Sequence, residues 1–296
     1  MKGQFENKIL SSMVLWLDHT LTKRGEAYTN HSSKMYEVDS QWYGYHTYGA
    51  PFKQFVADFS IPSDAPTDPQ IPTGVYVDNV FTVPGSNNFV GIDYNNGHAY
   101  FDADQGSKII SGKYAVKDFN IYLTNKLEQD LLFETKANLR PKTTENPQGL
   151  NTNQVVYPAI FIKNNGGYNE PWALGGEENT VMNLRAVVLA DSQFYLDAVC
   201  SIFKDQARVN LPIVEPDSYP FNSLGGYKSN LWQYEGDTSV YNYTGLVDGV
   251  DSAWVKEVNV SQFNVDYIGE IKNANPDVFS AIIDFDIEKP RLPRQE

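Results

Sequence analysis

Three acidic residues near the end of the chain have the type and spacing that could support acid–base chemistry. Asp284, Asp286 and Glu288 alternate with other residues, so on a β-strand their carboxylates would lie along one face. A pair of carboxylates about 5–10 Å apart can hydrolyse a glycosidic bond. Nothing else in the sequence isolates these three residues, so a solvated strand face is the favoured interpretation and an acidic hydrolase the weaker one.

A second acidic pattern begins at Asp102 and continues through Asp104 to Gly106. It starts like a calcium-binding loop, but the third acidic position and the later glutamate of that motif are lacking. We therefore expect a turn here and no metal. The sequence also lacks the motifs of a nucleophilic serine elbow, a phosphate-binding loop and a dinucleotide-binding fold.

Histidine and cysteine do not provide a recognisable ligand set. The four histidines, at positions 19, 31, 46 and 98, show no metal-binding spacing, and each is expected at the surface or at an interface. Cys200 is the one cysteine and falls on the apolar side of a predicted helix, where it would be a small buried hydrophobe. The prediction is a protein with no enzymatic activity and no cofactor or metal.

Aromatic residues form the remaining candidate site. Trp42, Tyr43, Tyr45 and Tyr48 lie within seven positions, and their rings could stack on sugars. Large amphipathic rings also pack in protein cores and between subunits, and this use is favoured here. We predict a subunit interface that includes the tract and the segment Pro290, Arg291, Leu292 and Pro293, which belongs to a disordered or partner-contacting tail from position 289.

The elements that would position these residues are mainly strands. Ile9, Met13, Leu17 and Leu21 recur at helical spacing, which predicts an N-terminal helix that stops at Gly25. A second helix is predicted from Ser192 to about position 208. The rest predicts an α+β fold that is mainly β, with antiparallel sheets or a sandwich. One β-rich structural domain with long loops is expected, with a possible division into 1–137 and 154–296.

Several strands have specific boundaries in this prediction. The clearest is a hairpin over 89–102, closed by Asn95, Asn96 and Gly97. Other strands are predicted at 35–39, 75–83, 113–123 with a bend near 117–118, 155–163 with an edge or bulge at Pro158, 181–190 and 239–247. Residues 164–167 are expected to form a turn that leads into a loop. A long C-terminal hairpin is predicted from 254–268 and 278–287, joined by IKNANPD.

Composition limits the classes of partner. Hydrophobic residues make up 41% of the chain and charged residues 20%, which is typical of a folded protein. The net charge of -14 argues against gripping nucleic acid, although a like-charged wall would let DNA slide past. No secretory signal and no apolar stretch of about 20 residues is recognisable, so cytoplasmic synthesis and no membrane partner are expected.

One segment resembles a known class of proteins. The stretch from Val83 to Asn125 is similar to neck and tail structural proteins of tailed bacteriophages, in which an "IDY-NG-x-x-F" hairpin precedes a "Y-x-x-K-D-F" strand. The matching residues here are Ile92, Asp93, Tyr94, Asn96, Gly97, Phe101, Tyr114, Lys117, Asp118 and Phe119. The segment from Leu184 to Glu215 is similar to the strand and helix of the same kind of protein.

The resemblance implies a structural subunit of a virion, either a head–tail connector or a tail terminator. Such a subunit would form a homo-oligomeric ring with neighbouring virion proteins, assembled in the host bacterial cytoplasm. DNA would pass through its channel without tight binding. The alternative function is a β-sandwich module that binds a carbohydrate or a receptor.

Overall fold

The computed structural model describes residues 5–25, 27–42, 44–128, 130–131, 157–172, 176–215, 219, 241–262 and 278–291, with only the backbone described for 39–42. These residues form antiparallel sheets with an N-terminal and a central helix, which confirms the predicted mainly β fold class. The elements in chain order are α1 (Phe5–Lys23), β1 (Tyr28–Trp42), β2 (Tyr45–Gly49), β3 (Val75–Val77), β4 (Val80–Thr82), β5 (Phe89–Asp93), β6 (His98–Phe101), β7 (Ile110–Lys117), β8 (Asn120–Leu123), β9 (Ala159–Pro171), β10 (Glu178–Ala190), α2 (Gln193–Lys204), β11 (Val209–Pro212), α3 (Tyr243–Leu246), β12 (Ser252–Gln262) and β13 (Phe279–Arg291).

The strands form two sheets. A seven-stranded sheet has the order β4-β3-β7-β1-β2-β6-β5, and a six-stranded sheet has the order β11-β12-β13-β10-β9-β8. Neighbouring strands are antiparallel except β8 and β9, which are parallel. The chain leaves the first sheet at Lys117 and enters the second at Asn120, so the predicted bend near 117–118 is confirmed and marks a change of sheet.

The two sheets share one hydrophobic core. Buried residues of the seven-stranded sheet, α1, α2 and one face of the six-stranded sheet belong to a single contiguous cluster. Phe203 of α2 is fully buried, with its ring centroid 5.8 Å from that of Phe119 and 6.0 Å from that of Phe285. This contact joins α2 to β13 and to the segment between the sheets. The domain division at 137–154 stays a prediction.

Local sequence signals explain the elements that were predicted well. Helix α1 buries Ile9, Met13, Leu17 and Leu21 along one side, and Gly25 ends it with φ +77°. The hairpin of β5 and β6 is confirmed. Its Gly97 has φ +68°, and a Cβ there would lie 2.2 Å from the Phe52 carbonyl oxygen, so glycine is required.

Two other predicted strands are wrong because turn-forming residues were not recognised. The strand predicted at 75–83 is the tight hairpin of β3 and β4. Asp78 and Asn79 form its turn with φ of +47° and +66°, a conformation that these short polar residues tolerate. The segment predicted as a strand at 239–247 forms the helical turn α3 over Tyr243–Leu246. The Asn242 side chain starts this turn, because it accepts a hydrogen bond from the Gly245 N–H at 3.0 Å.

The turn predicted at 164–167 is also wrong, because β9 continues through it to Pro171. Gly167 pairs with Met182 and Asn164 with Leu184, so β9 has one extra residue there and forms a β-bulge. Gly166 adopts φ +99° in the bulge. Residues 164–171 are all exposed, and we call this part of β9 the distal arm.

Other boundaries shift. Strand β1 begins at residue 28 rather than 35, α2 ends at 204 rather than about 208, and Pro158 precedes β9 rather than interrupting it. The C-terminal strands β12 and β13 pair as predicted, while residues 263–277 between them lie outside the described residues. The predicted tail is wrong for residues 289–291, because β13 extends to Arg291.

The central aromatic contact predicts a large effect on stability. Replacing Phe203 with alanine should lower the free energy of unfolding by about 3–5 kcal/mol, because it leaves a cavity between α2 and both aromatic neighbours. Urea unfolding followed by circular dichroism measures this change. Phe194→Ala on the same helix is the control, since Phe194 is 78% exposed and its loss should change stability by less than about 0.5 kcal/mol. Equal effects of the two substitutions would contradict the packing described here.

Candidate functional site

Asp284, Asp286 and Glu288, which we call the acidic row, lie on one face of the six-stranded sheet. This face is opposite α1 and α2, and we call it the outer face. Asp284 accepts two hydrogen bonds from Arg185 of β10, from Nε at 2.6 Å and from Nη2 at 2.9 Å. Asp286 accepts from the Asn183 amide at 2.7 Å. Each carboxylate is half-buried rather than fully solvated, and each is engaged by the neighbouring strand.

The third acid of the row is held from two sides. Glu288 accepts hydrogen bonds from Asn179 of β10 and from Lys256 of β12, both at 3.2 Å. Cross-strand pairs of this kind fix the register of β10, β12 and β13. The carboxylates therefore support sheet pairing, and the hydrolase hypothesis gains no support from their geometry.

Ion pairs extend across the outer face toward β9. Glu128 accepts from Lys163 at 2.7 Å and lies 3.5 Å from Nη1 of Arg185. The hydrogen bond from Lys163 is the main cause that holds the pKa of Glu128 below its ordinary value. Burial, followed by the nearby carboxylates of Glu257 and Asp284, raises the pKa of Asp286. Asp286 is thus close enough to both carboxylates to be repelled by them.

Two partly exposed aromatic residues lie on either side of Glu288 on the outer face. Tyr168 of β9 is paired with Val181, Val181 with Glu288, and Glu288 with Trp254 of β12. Tyr168 is 57% exposed and Trp254 39% exposed. Three strand spacings separate them, or about 14 Å. The outer face therefore has an aromatic residue on each side of Glu288.

The predicted aromatic tract divides between the core and the rim of the seven-stranded sheet. Tyr48 is buried, with its ring edge-on to Phe101 at 5.4 Å, so it is a core residue. Tyr45 is half-buried and lies 6.5 Å from the ring of Tyr100. Trp42 ends β1, but its side chain lies outside the described residues, as does all of Tyr43. The interface role of the tract stays a prediction.

The C-terminal segment is part of the sheet where it is described. Pro290 pairs with Asn179 at the end of β13. Arg291 donates from Nε to Thr180 Oγ1 at 2.5 Å, and its guanidinium lies 4.7 Å from the Phe5 ring centroid. Leu292 and Pro293 lie outside the described residues. Arg291 also borders a polar cleft of about 550 Å³ between the start of α1 and the β9 bulge.

Sequence reasoning missed an apolar patch on the edge of the seven-stranded sheet. Val80 is 63% exposed and Phe81 49%, both on β4, and Val83 and Ile109 are exposed beside them. Ile109 joins the hairpin through a hydrogen bond from its N–H to the Asp78 carboxylate at 2.9 Å. The missed signal is the Asp78–Asn79 turn. It divides the strand predicted at 75–83 and places its second half, β4, at the edge of the sheet.

His19 is buried and forms a polar cluster with Asp58 and Ser60. His19 Nδ1 is 2.6 Å from Asp58 Oδ2, and Asp58 Oδ1 accepts from the hydroxyl of Ser60 at 2.7 Å. In a catalytic triad the serine hydroxyl bonds to the other ring nitrogen, whereas Ser60 here bonds to the carboxylate itself. The cluster therefore fastens α1 to residues 58–60, and the backbone N–H of Tyr243 completes it at 3.1 Å.

The expectation of surface or interface histidines is wrong for His19 and His98, which are both buried. His98 packs near Lys53, whose pKa burial lowers to about 8. Cys200 is buried as predicted, and burial raises the pKa of its thiol. These groups belong to the core.

No family model matches this chain, and no curated protein matches it. Among the described residues, none of the helices has the length and apolar character needed to span a bilayer.

The buried Asp58 cluster predicts a dependence of stability on pH. Burial opposes ionisation of Asp58, but hydrogen bonds from His19, Ser60 and Tyr243 outweigh it and lower its pKa. A carboxyl with a lowered folded-state pKa stabilises the protein above its unfolded pKa of about 3.9, and this contribution disappears as the pH falls through the folded-state pKa. The stability difference between wild type and Asp58→Asn should therefore shrink below about pH 4.

Chemical denaturation between pH 3 and pH 7 measures this difference. The control is Asp64→Asn, which removes one carboxylate from an exposed loop. A difference between wild type and Asp58→Asn that stays constant over this range would rule out the ionised, hydrogen-bonded Asp58.

Proposed function

We propose that this chain is a structural subunit of a tailed-phage virion, located in the neck or tail as a connector or tail terminator. It would assemble with copies of itself into a ring around the DNA channel. The resemblance over 83–125 supports this proposal, because residues of its pattern form part of the core and of the β5–β6 hairpin. Ile92, Tyr94, Phe101 and Tyr114 of that pattern are buried in the core, and Asp93 accepts hydrogen bonds from the turn of the hairpin.

The observation that carries the proposal is the apolar patch of Val80, Phe81, Val83 and Ile109. Val80 and Phe81 lie on the edge strand β4, Val83 directly follows it, and Ile109 precedes β7 beside the same hairpin. Their side chains are each 46% to 63% exposed. Several large apolar side chains exposed at a sheet edge are typical of a surface that associates with another protein. The patch is therefore a candidate subunit contact.

The distal arm supplies a second and different contact surface. Strand β8 pairs only with residues 159–162 of β9, so among the described residues the arm has no strand on its outer side. Tyr168 and the nearby Trp172 are more than half exposed. A ring needs two different surfaces on each subunit that fit each other, and strand addition at an edge is one way to join them.

The charge of the chain fits a wall that DNA passes. A net charge of -14 repels the phosphate backbone, whereas a DNA-gripping protein neutralises phosphates with lysine and arginine. Under this proposal the protein contributes shape and subunit contacts and carries out no reaction.

Assembly is tested by changing the most exposed residue of the patch. Val80→Asp should convert a multimer into monomers, because association would bury the new charge without a partner. Native mass spectrometry at micromolar concentration measures the subunit number, and electron microscopy shows whether wild type forms rings.

The matched control is Ser63→Asp, which adds the same charge at an exposed loop position outside the patch. It should assemble like wild type. A wild-type chain that stays monomeric, both alone and in a virion lysate, or a Val80→Asp chain that still assembles, would refute the role of the patch.

The second candidate function is carbohydrate binding on the outer face. Tyr168 and Trp254 flank Glu288, and the Asn179 amide and Lys256 lie beside that carboxylate. Aromatic rings that stack on sugar faces, with polar groups between them, are features of sugar-binding sites. Tyr48 of the predicted aromatic tract is buried, so it offers no stacking surface of this kind.

A glycan array followed by calorimetry tests this candidate. Trp254→Ala should weaken binding of any glycan found by about tenfold or more, because it removes one stacking surface. Tyr195→Ala on α2 is the control, since this half-exposed aromatic residue lies on another element. An array without hits would eliminate the candidate.

A further inference from the structure

Three side chains that could bind a metal converge at one end of the seven-stranded sheet. Glu37 lies on β1, His46 on β2, and Asp104 in the loop that follows β6. One ligand atom from each lies within 4.8 Å of the others. Strand pairing places Glu37 opposite Tyr48, and His46 lies two positions before Tyr48 on β2. The side chains of Glu37 and His46 therefore point to the same side of the sheet.

The position of Asp104 is fixed by its surroundings. Its Oδ1 accepts a hydrogen bond from the Gly106 N–H at 2.8 Å and from the Tyr48 hydroxyl at 3.3 Å. Tyr48 is buried and its hydroxyl also accepts from the Gln105 N–H at 3.2 Å. A core residue thus holds the loop and the carboxylate against the ends of β1 and β2. Hydrogen bonds to a ligating carboxylate are a usual part of metal sites.

Charge and chemistry favour a divalent cation at this point. Two carboxylates that approach one another repel, and a cation between them offsets this repulsion. A neutral imidazole offers nitrogen, which zinc and its first-row neighbours accept, whereas calcium and magnesium prefer sites made wholly of oxygen.

We propose that Glu37, His46 and Asp104 bind one divalent transition-metal ion, with Zn²⁺ as the representative. On tetrahedral zinc, ligand atoms at about 2.1 Å from the metal lie about 3.4 Å from one another. The cluster therefore needs to contract by about 1.4 Å or less, which the exposed side chain of Glu37 can provide by changing rotamer while Asp104 stays in place. The fourth position remains open to water or to a donor from another molecule.

The site would connect three separate segments. An ion there fastens the loop at 102–106 to the hairpin of β1 and β2, and that hairpin carries the aromatic tract. Metal binding is thus expected to raise the melting temperature, because the folded chain binds the ion and the unfolded chain lacks the site. The inference does not depend on the proposed virion function, and assembly can fail or succeed independently of it.

A different arrangement accounts for the same residues without a metal. A protonated His46 could lie between the two carboxylates as an ion pair. The two arrangements differ in a measurable way, since only the first produces stoichiometric metal binding that requires all three side chains.

Isothermal titration of the untagged, chelator-treated full chain with ZnCl₂ tests the proposal. Wild type should bind one ion per chain in the micromolar range or tighter. Glu37→Gln, His46→Ala and Asp104→Asn should each weaken binding by about tenfold or more, and Tyr48→Phe should weaken it less. Co²⁺ bound to wild type should show the visible absorption of a tetrahedral nitrogen and oxygen site.

Asp102→Asn is the matched control, because Asp102 is an exposed carboxylate in the same loop outside the cluster. It should bind Zn²⁺ like wild type. Glutamine and asparagine keep the shape of the replaced side chains, and circular dichroism confirms that each variant is folded. Absence of Zn²⁺ binding by wild type, or equal binding by wild type and the three ligand variants, would overturn the proposal.

Discussion

The packing of Phe203 against Phe119 and Phe285 is the interaction on which the two-sheet architecture depends. Phe119 stands where the chain leaves one sheet for the other, Phe285 belongs to the inner face of β13, and Phe203 fills the space between them. Aromatic side chains bury large apolar areas, so three in contact contribute strongly to one core. Without this contact, α2 would lose its aromatic packing against β13 and against the segment that connects the two sheets.

The two faces of the six-stranded sheet perform different tasks. The inner face is apolar and covered by α1 and α2, whereas the outer face combines ion pairs and exposed aromatics with a second, smaller buried cluster that includes Phe161, Val187 and Leu189. The bidentate pair of Arg185 and Asp284 directs β13 into register with β10. A one-residue slip would break this pair and turn the apolar residues outward, so polar and apolar patterns specify the same register.

Local signals in the sequence were sufficient for α1 and for the hairpin at 89–102, because helical spacing and an Asn-Gly turn act within a few residues. The distal arm was missed because NNGG is typical of a turn, whereas pairing with β10 keeps it in a strand that contains a bulge. The acidic row was recognised, but its partners Arg185 and Asn183 lie about a hundred positions away on β10, which no local pattern reveals.

The cluster of Glu37, His46 and Asp104 shows the same limit. In the sequence, Asp104 was noticed only as part of a weak calcium-loop pattern, and His46 only as one of four histidines without metal-binding spacing. Glu37 and His46 lie on strands separated by two positions, so the register of that strand pair could have brought them together. The loop that contributes Asp104 follows β6, which pairs with β2, and buried Tyr48 holds it through contacts with Asp104 and Gln105. Local sequence does not reveal these contacts.

The distal arm has a consequence for dynamics. Its eight residues are exposed and are hydrogen-bonded to β10 on one side only among the described residues, while β10 itself stays buried between β9 and β13. Few apolar contacts oppose its separation, so it can detach from β10 in a local opening that leaves the core intact. Its amide hydrogens should then exchange with solvent by a route separate from global unfolding, and a molecule that paired with the arm would close that route.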